Sequence, residues 1–173
     1  MPFETFIVTA ALPSEIHSWA DGLRKAHFPP ERNHLQAHVT LFHALAPSLF
    51  SEVQTVLPAF ARDYSPPAVK ITGLMSLGKG TAIALSSPDT LAIREEIADR
   101  FHGTLTAQDQ HKPRLHITIQ NKVEPKEAKA LQQHLETEIE VQKFAFPALE
   151  LHIYRGGPWE FVKRWPFRGS RKR

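Results

Sequence analysis

The sequence has no cysteine in its 173 residues. That excludes a disulfide framework and thiolate metal sites. Nothing in it reads as a membrane span or a signal peptide: the first residues lack a basic stretch, carry Glu4, and their apolar run ends at Pro13. A soluble, cytoplasmic protein is the expectation. Low-complexity and linker segments are also missing, and 42% hydrophobic content suffices for one substantial core. Excess charge of either sign is small, with 21 basic against 18 acidic residues. Arg168, Arg171, Lys172 and Arg173 crowd the basic excess into the last six residues and leave a nearly neutral body. Any affinity for RNA would come from a local groove or from that tail, and a short basic tail reads as a solvated, disordered end.

What the chain does contain is a pattern written twice. His38-Val39-Thr40-Leu41 is followed by Pro47, and His116-Ile117-Thr118-Ile119 by Pro125, so in each copy proline stands nine positions after histidine. Runs such as His-Val-Thr-Leu-Phe favour strands, whose side chains alternate between faces. The alternation predicts that His38, Thr40 and Phe42 share one face, and that His116, Thr118 and Gln120 share another. Leu115, Ile117 and Ile119 then point to the core.

The prolines suit a first helical turn, where a missing N–H costs nothing. Apolar residues recur at helical spacing after both. Reading outward, strands are expected over Phe3 to Leu12, Val69 to Leu77, Thr81 to Ser87, Val141 to Tyr154 and Trp159 to Phe167, besides the two motif strands. Helices are expected after Pro13 and Pro88, and Gly78-Lys79-Gly80 reads as a tight hairpin. The fold class is therefore α+β: two pseudo-symmetric β-α-β-α-β lobes, about 3–77 and 80–167, with mainly antiparallel sheets facing a central cleft. Residues 1–167 form a single bilobal domain in this reading, and residues 168–173 a basic tail.

Two histidines and two threonines on facing strands suit displacement at phosphorus. One histidine takes a proton from the attacking oxygen while the other protonates the leaving oxygen, which an imidazole pKa near 6.5 permits at working pH. Thr40 and Thr118 would donate to the non-bridging oxygens. The scheme needs no metal and no cofactor. His34, His38 and His43 raise a zinc alternative, but Leu35 stands where a metalloprotease pattern needs glutamate, and on a strand His43 points away from the other two.

On these residues the chain resembles the 2H phosphoesterase superfamily, specifically its 2′-5′ RNA ligase-like branch, from about residue 3 to residue 167. The resemblance rests on the two His-x-Thr-x motifs, one per lobe. It implies catalysis by His38, Thr40, His116 and Thr118, acting on 2′,3′-cyclic phosphate ends or 2′-5′ linkages of RNA, with reverse ligation open to the same site. Two alternatives stand beside it: a small-nucleotide cyclic phosphodiesterase acting on a cyclic phosphate of ADP-ribose or on 2′-5′ oligoadenylate, and a non-catalytic RNA-binding protein of the same fold. RNA ends or nucleotide cyclic phosphates are the expected partners, with no membrane and no obligate protein partner, and a monomer is expected.

For substrate contact the candidates are Gln120, on the His116 face, and Tyr154 and Arg155, beside the Gly156-Gly157-Pro158 turn. Trp159, Phe161 and Trp165 alternate as a buried strand face would and are read mainly as core. His17, His27, His102, His111, His134 and His152 are read as surface or structural.

Overall fold

Proline sets where most helices begin. In the computed structural model, which describes residues 4–171, Pro88 opens α3 (Pro88–Arg100) and Pro125 opens α5 (Pro125–Leu135) at their first turns. Pro13 precedes α1 (Ser14–His27), and Pro47 starts a 3₁₀ turn that runs into α2 (Phe50–Asp63). A one-turn helix, α4 (Ala107–Gln110), lies in the loop before the second motif, with the Thr106 side chain accepting from the amide of Asp109.

The strands are β1 (Thr5–Ala10), β2 (Val39–Leu45), β3 (Ala68–Ser76), β4 (Thr81–Ser86), β5 (His116–Gln120), β6 (Gln142–Ala145), β7 (Ala148–Tyr154) and β8 (Glu160–Pro166). They form two four-stranded sheets in the orders β2-β1-β7-β8 and β5-β4-β3-β6. Every pairing within them is antiparallel. The α+β fold and its two sheets agree with expectation. The residue Phe3, placed in the first strand by sequence, lies outside the described residues.

The sheets do not follow the two halves of the sequence. β3 pairs with β4 across the Gly78–Gly80 hairpin and so joins the second sheet, while β7 and β8 pair back onto β1 in the first. The hairpin is the cause: the amide of Leu77 donates to the Gly80 carbonyl at 2.9 Å, which locks consecutive strands together. Gly80 has no substitute there, since a Cβ would lie 2.2 Å from the Gln120 carbonyl oxygen. The single strand expected over Val141 to Tyr154 is likewise two strands in different sheets. Phe146-Pro147 separates them, and proline cannot donate to a ladder.

One apolar cluster runs through both sheets, including Val8, Leu41, Leu57, Ile83, Ile97 and Ile117. Burying each such aliphatic side chain is worth about 1.5–3 kcal/mol. Helix α2 packs on β7 and β8, and α5 packs on β3 and β4.

The tail is also more ordered than its composition suggests. Arg168 donates its amide to the Ala61 carbonyl, Gly169 to that of Tyr64 and Arg171 to that of Asp63, which pins the segment across the end of α2. The Arg171 guanidinium lies 4.9 Å from the centre of the Tyr64 ring. Lys172 and Arg173 lie outside the described residues.

Candidate active site

β2 and β5 run close to one another where the sheets meet, and α1 of the first half packs on β5 of the second. Each motif strand is bulged just after its threonine. In the first, Thr40 pairs with Thr9 but Phe42 with Val8; in the second, Thr118 pairs with Ala82 but Gln120 with Thr81. One extra residue, Leu41 or Ile119, fits into each strand and resets the alternation. Phe42 and Gln120 consequently turn inward, and both expectations that placed them on the histidine faces are corrected. Phe42 is fully buried under the Arg94 guanidinium, 4.3 Å from its ring centre. Gln120 is 3% exposed, and its Oε1 accepts from the Thr81 hydroxyl at 3.0 Å.

The two motif histidines are held in the same way. His38 Nδ1 lies 2.7 Å from the Gln36 carbonyl oxygen and His116 Nδ1 lies 2.6 Å from that of Arg114. A carbonyl can only accept, so each Nδ1 carries the proton and each Nε2 holds the neutral ring's free lone pair. Thr40 and Thr118 are both partly exposed on the same strands.

Two buried arginines cross between the halves. Arg24 of α1, 2% exposed, donates to the Thr118 carbonyl at 2.8 Å and to the Asn33 side chain at 3.2 and 3.0 Å. Arg94 of α3, 5% exposed, donates to the Leu41 carbonyl at 3.1 Å and to the Asp109 carbonyl at 2.6 Å. Each helix thus braces the motif strand of the other sheet. The Asp109 carboxylate in turn accepts the amides of His43 and Ala44 at 2.8 and 2.9 Å, together with the His43 ring at 3.2 Å. Burial alone would raise its pKa, but these bonds outweigh it and hold it below the usual carboxylate range. They also occupy amides on the open edge of β2, the outermost strand of its sheet. His43, weighed above as a zinc ligand, is therefore tied to Asp109.

A cavity of about 880 Å³ adjoins His38, lined also by His17, His34, Gln36, His152 and Trp159. His152, read from sequence as surface or structural, stands there because β7 alternates: Leu149 and Leu151 face the core while Glu150 and His152 face the cavity. That period-two pattern was its available signal. Its Nε2 lies 3.1 Å from the Thr9 hydroxyl. The Trp159 ring is 4.7 Å from that of His38 and 5.6 Å from that of His152.

The reading of Trp159, Phe161 and Trp165 as one buried face fails for the first two, which line the cavity, whereas Trp165 packs on the core. A further bulge explains it: Lys163 pairs with Leu151 but Phe161 with His152, leaving Val162 extra. Tyr154 and Arg155 are not among the cavity-lining residues, and Arg155 forms ion pairs with Glu4 and Glu160 instead.

His38 has its pKa lowered to about 4, first by burial, with Arg24, His152 and His116 adding repulsion against only the Gln36 carbonyl bond. Unfolded, the same imidazole takes its proton near 6.5. The unfolded chain therefore binds the extra proton between pH 6.5 and 4, and stability falls as pH falls through that window. The full shift corresponds to about 3 kcal/mol as an upper bound. Urea unfolding at pH 7 and pH 4.5 is expected to show a smaller loss of stability for His38→Gln than for the wild type. Equal losses would mean that His38 is not held neutral.

Among the described residues no helix is long and apolar enough to cross a membrane. The sequence matches the family model described as the 2′-5′ RNA ligase superfamily over residues 12–158. No curated protein matches it. Among solved structures, TT0787 of Thermus thermophilus is similar with a TM-score of 0.65 at 12% identity, over 96% of this chain and 100% of that one. The E. coli LigT structure complexed with NADP+ is similar at TM-score 0.58 and 16% identity, over 95% and 98%. LigT complexed with 3′-AMP gives 0.54 and 16%, over 96% and 99%. At these identities the likeness is one of fold.

Proposed function

The chain belongs to the 2′-5′ RNA ligase superfamily, and from that premise we propose that it is a phosphoesterase that opens 2′,3′-cyclic phosphate or 2′-5′ phosphodiester linkages of RNA ends or nucleotides by two-histidine acid/base catalysis. The observation that carries the reading is the matched pair of His-x-Thr strands, each with Nδ1 tied to a backbone carbonyl and Nε2 left over.

In the forward direction, water attacks phosphorus in line with the leaving ribose oxygen. His38, neutral at working pH because burial depresses its pKa, takes the proton from the attacking oxygen. His116, entering the step with a second proton on Nε2, gives that proton to the leaving oxygen, so the P–O bond breaks with the ribose oxygen leaving as a hydroxyl. The hydroxyls of Thr40 and Thr118 donate to the non-bridging oxygens as charge builds on them. With a ribose 5′-hydroxyl in place of water, the same steps open the cyclic phosphate: the new P–O bond joins the two ends through a 2′-5′ linkage as the bond to the 3′-oxygen breaks and that oxygen leaves as a hydroxyl. A nucleotide as the substrate is supported by LigT, a protein of the same fold whose structures hold 3′-AMP and NADP+.

Turnover of an oligoribonucleotide ending in a 2′,3′-cyclic phosphate, followed in EDTA with the 2′- and 3′-phosphate products separated, tests this directly. A single product isomer, formed at a rate indifferent to chelation, is the expected result. A folded protein inert towards cyclic ends, 2′-5′ linkages and the cyclic phosphate of ADP-ribose alike would leave it a binder.

A further inference from the structure

The cavity beside His38 holds groups that proton transfer does not use. Its floor is the face of β1, β7 and β8 turned away from the core, where Thr9 pairs with Glu150, Glu150 with Arg164, and His152 with Phe161. Trp159 stands over His38 and His152, and Phe161, 60% exposed, lies 6.0 Å from the His152 ring. Two accessible aromatic rings thus flank a catalytic imidazole, with a Glu150–Arg164 ion pair at 3.4 Å between strands on the same floor. The corresponding face of the other sheet has nothing comparable. The residues paired there beside His116 and Thr118 are Ala84, Ala82, Gly73 and Met75, which bring neither an aromatic ring nor a charge.

We infer that the first sheet carries a nucleobase subsite in which Trp159 and Phe161 stack the base of the nucleoside attached to the reacting phosphate, with Glu150 and Arg164 along its edge. This deepens the reading of the site as a nucleotide phosphoesterase and rests on it. Base and aromatic faces stack whatever the base, so the rings hold the substrate without choosing it. Glu150 can only accept and Arg164 can only donate, so together they match an edge that offers a donor beside an acceptor. Every nucleobase has such an edge, whereas a bare sugar phosphate has no ring to stack. The cavity is roomy enough for the base and its sugar, as small-molecule sites of about 300–1,000 Å³ are.

The test is binding of guanosine 2′-monophosphate, of ribose 5-phosphate and of inorganic phosphate, measured calorimetrically for the wild type, Phe161→Ala and Phe161→Tyr. Phe161 is exposed and outside the core, so its replacement leaves the fold intact. The wild type is expected to prefer the nucleotide to ribose 5-phosphate by at least tenfold. Phe161→Ala should weaken nucleotide binding by about five- to hundredfold, leave inorganic phosphate unchanged, and be rescued by Phe161→Tyr. Equal affinity for nucleotide and ribose phosphate, or an unchanged preference in Phe161→Ala, overturns the subsite. The readout is independent of turnover: nucleotide preference without any cyclic-phosphate opening defeats the phosphoesterase reading alone. Equal opening of cyclic phosphates with and without a base defeats the subsite alone.

Discussion

Alanine in place of His38 or His116 is expected to lower kcat on a cyclic-phosphate end by about 10²–10⁴-fold, the usual contribution of a positioned acid or base. His38 immediately precedes β2 and His116 opens β5, and both strands stay buried on their other face, through Val39 and Leu41 in one and Ile117 and Ile119 in the other. The substitutions therefore remove chemistry while leaving the scaffold. Because the two act on one transition state, the double variant should lose much less than the product of the single losses. Single-turnover rates for the three variants, with circular dichroism to verify folding, check the expectation. Full turnover in either folded single variant would remove that histidine from the mechanism.

Arg24→Met should have the largest effect on stability, about 2–4 kcal/mol by urea unfolding, because it leaves the Asn33 side chain and the Thr118 carbonyl without their charged donor inside the protein. Arg94→Met should cost a similar amount, since it strips a donor from the Leu41 and Asp109 carbonyls. The two differ in a way that mere destabilisation cannot imitate. Arg24 repels the proton on His38, whereas Arg94 is not among the charges that act on it. Arg24→Met should therefore raise the pKa of His38 and move the acid limb of kcat/KM to higher pH, while Arg94→Met leaves that limb in place. Identical limbs in both variants would show that Arg24 only braces the strand.

Much of the fold was legible because its signals are local. Proline at the first helical turn marked α3 and α5, glycine marked the β3–β4 hairpin, and β-branched runs marked the strands. The proposed catalytic pair was legible for a different reason: the pattern occurs twice, and a chance histidine on a strand does not repeat with its threonine and its proline. Alternation failed wherever a bulge slipped in one residue. Three such slips, at Leu41, Ile119 and Val162, account for the misplaced faces of Phe42, Gln120 and the Trp159–Phe161–Trp165 stretch. A bulge depends on what the neighbouring strand offers, and that is not written in the strand itself. The arginine braces were hidden for the same reason, since Arg24 and Thr118 are 94 positions apart.

The exchange of strands between the sheets bears on how such a molecule could be divided. Cutting the chain at Lys79 would separate β3 from both of its neighbours and leave β7 and β8 with no sheet to extend. Neither fragment would be a smaller version of the whole, and each would expose ladder edges that only the other can cover. The internal symmetry is therefore that of two interlocked pieces. A reporter built by splitting the protein at the hairpin would regain its site only through reassembly, with one histidine arriving from each fragment.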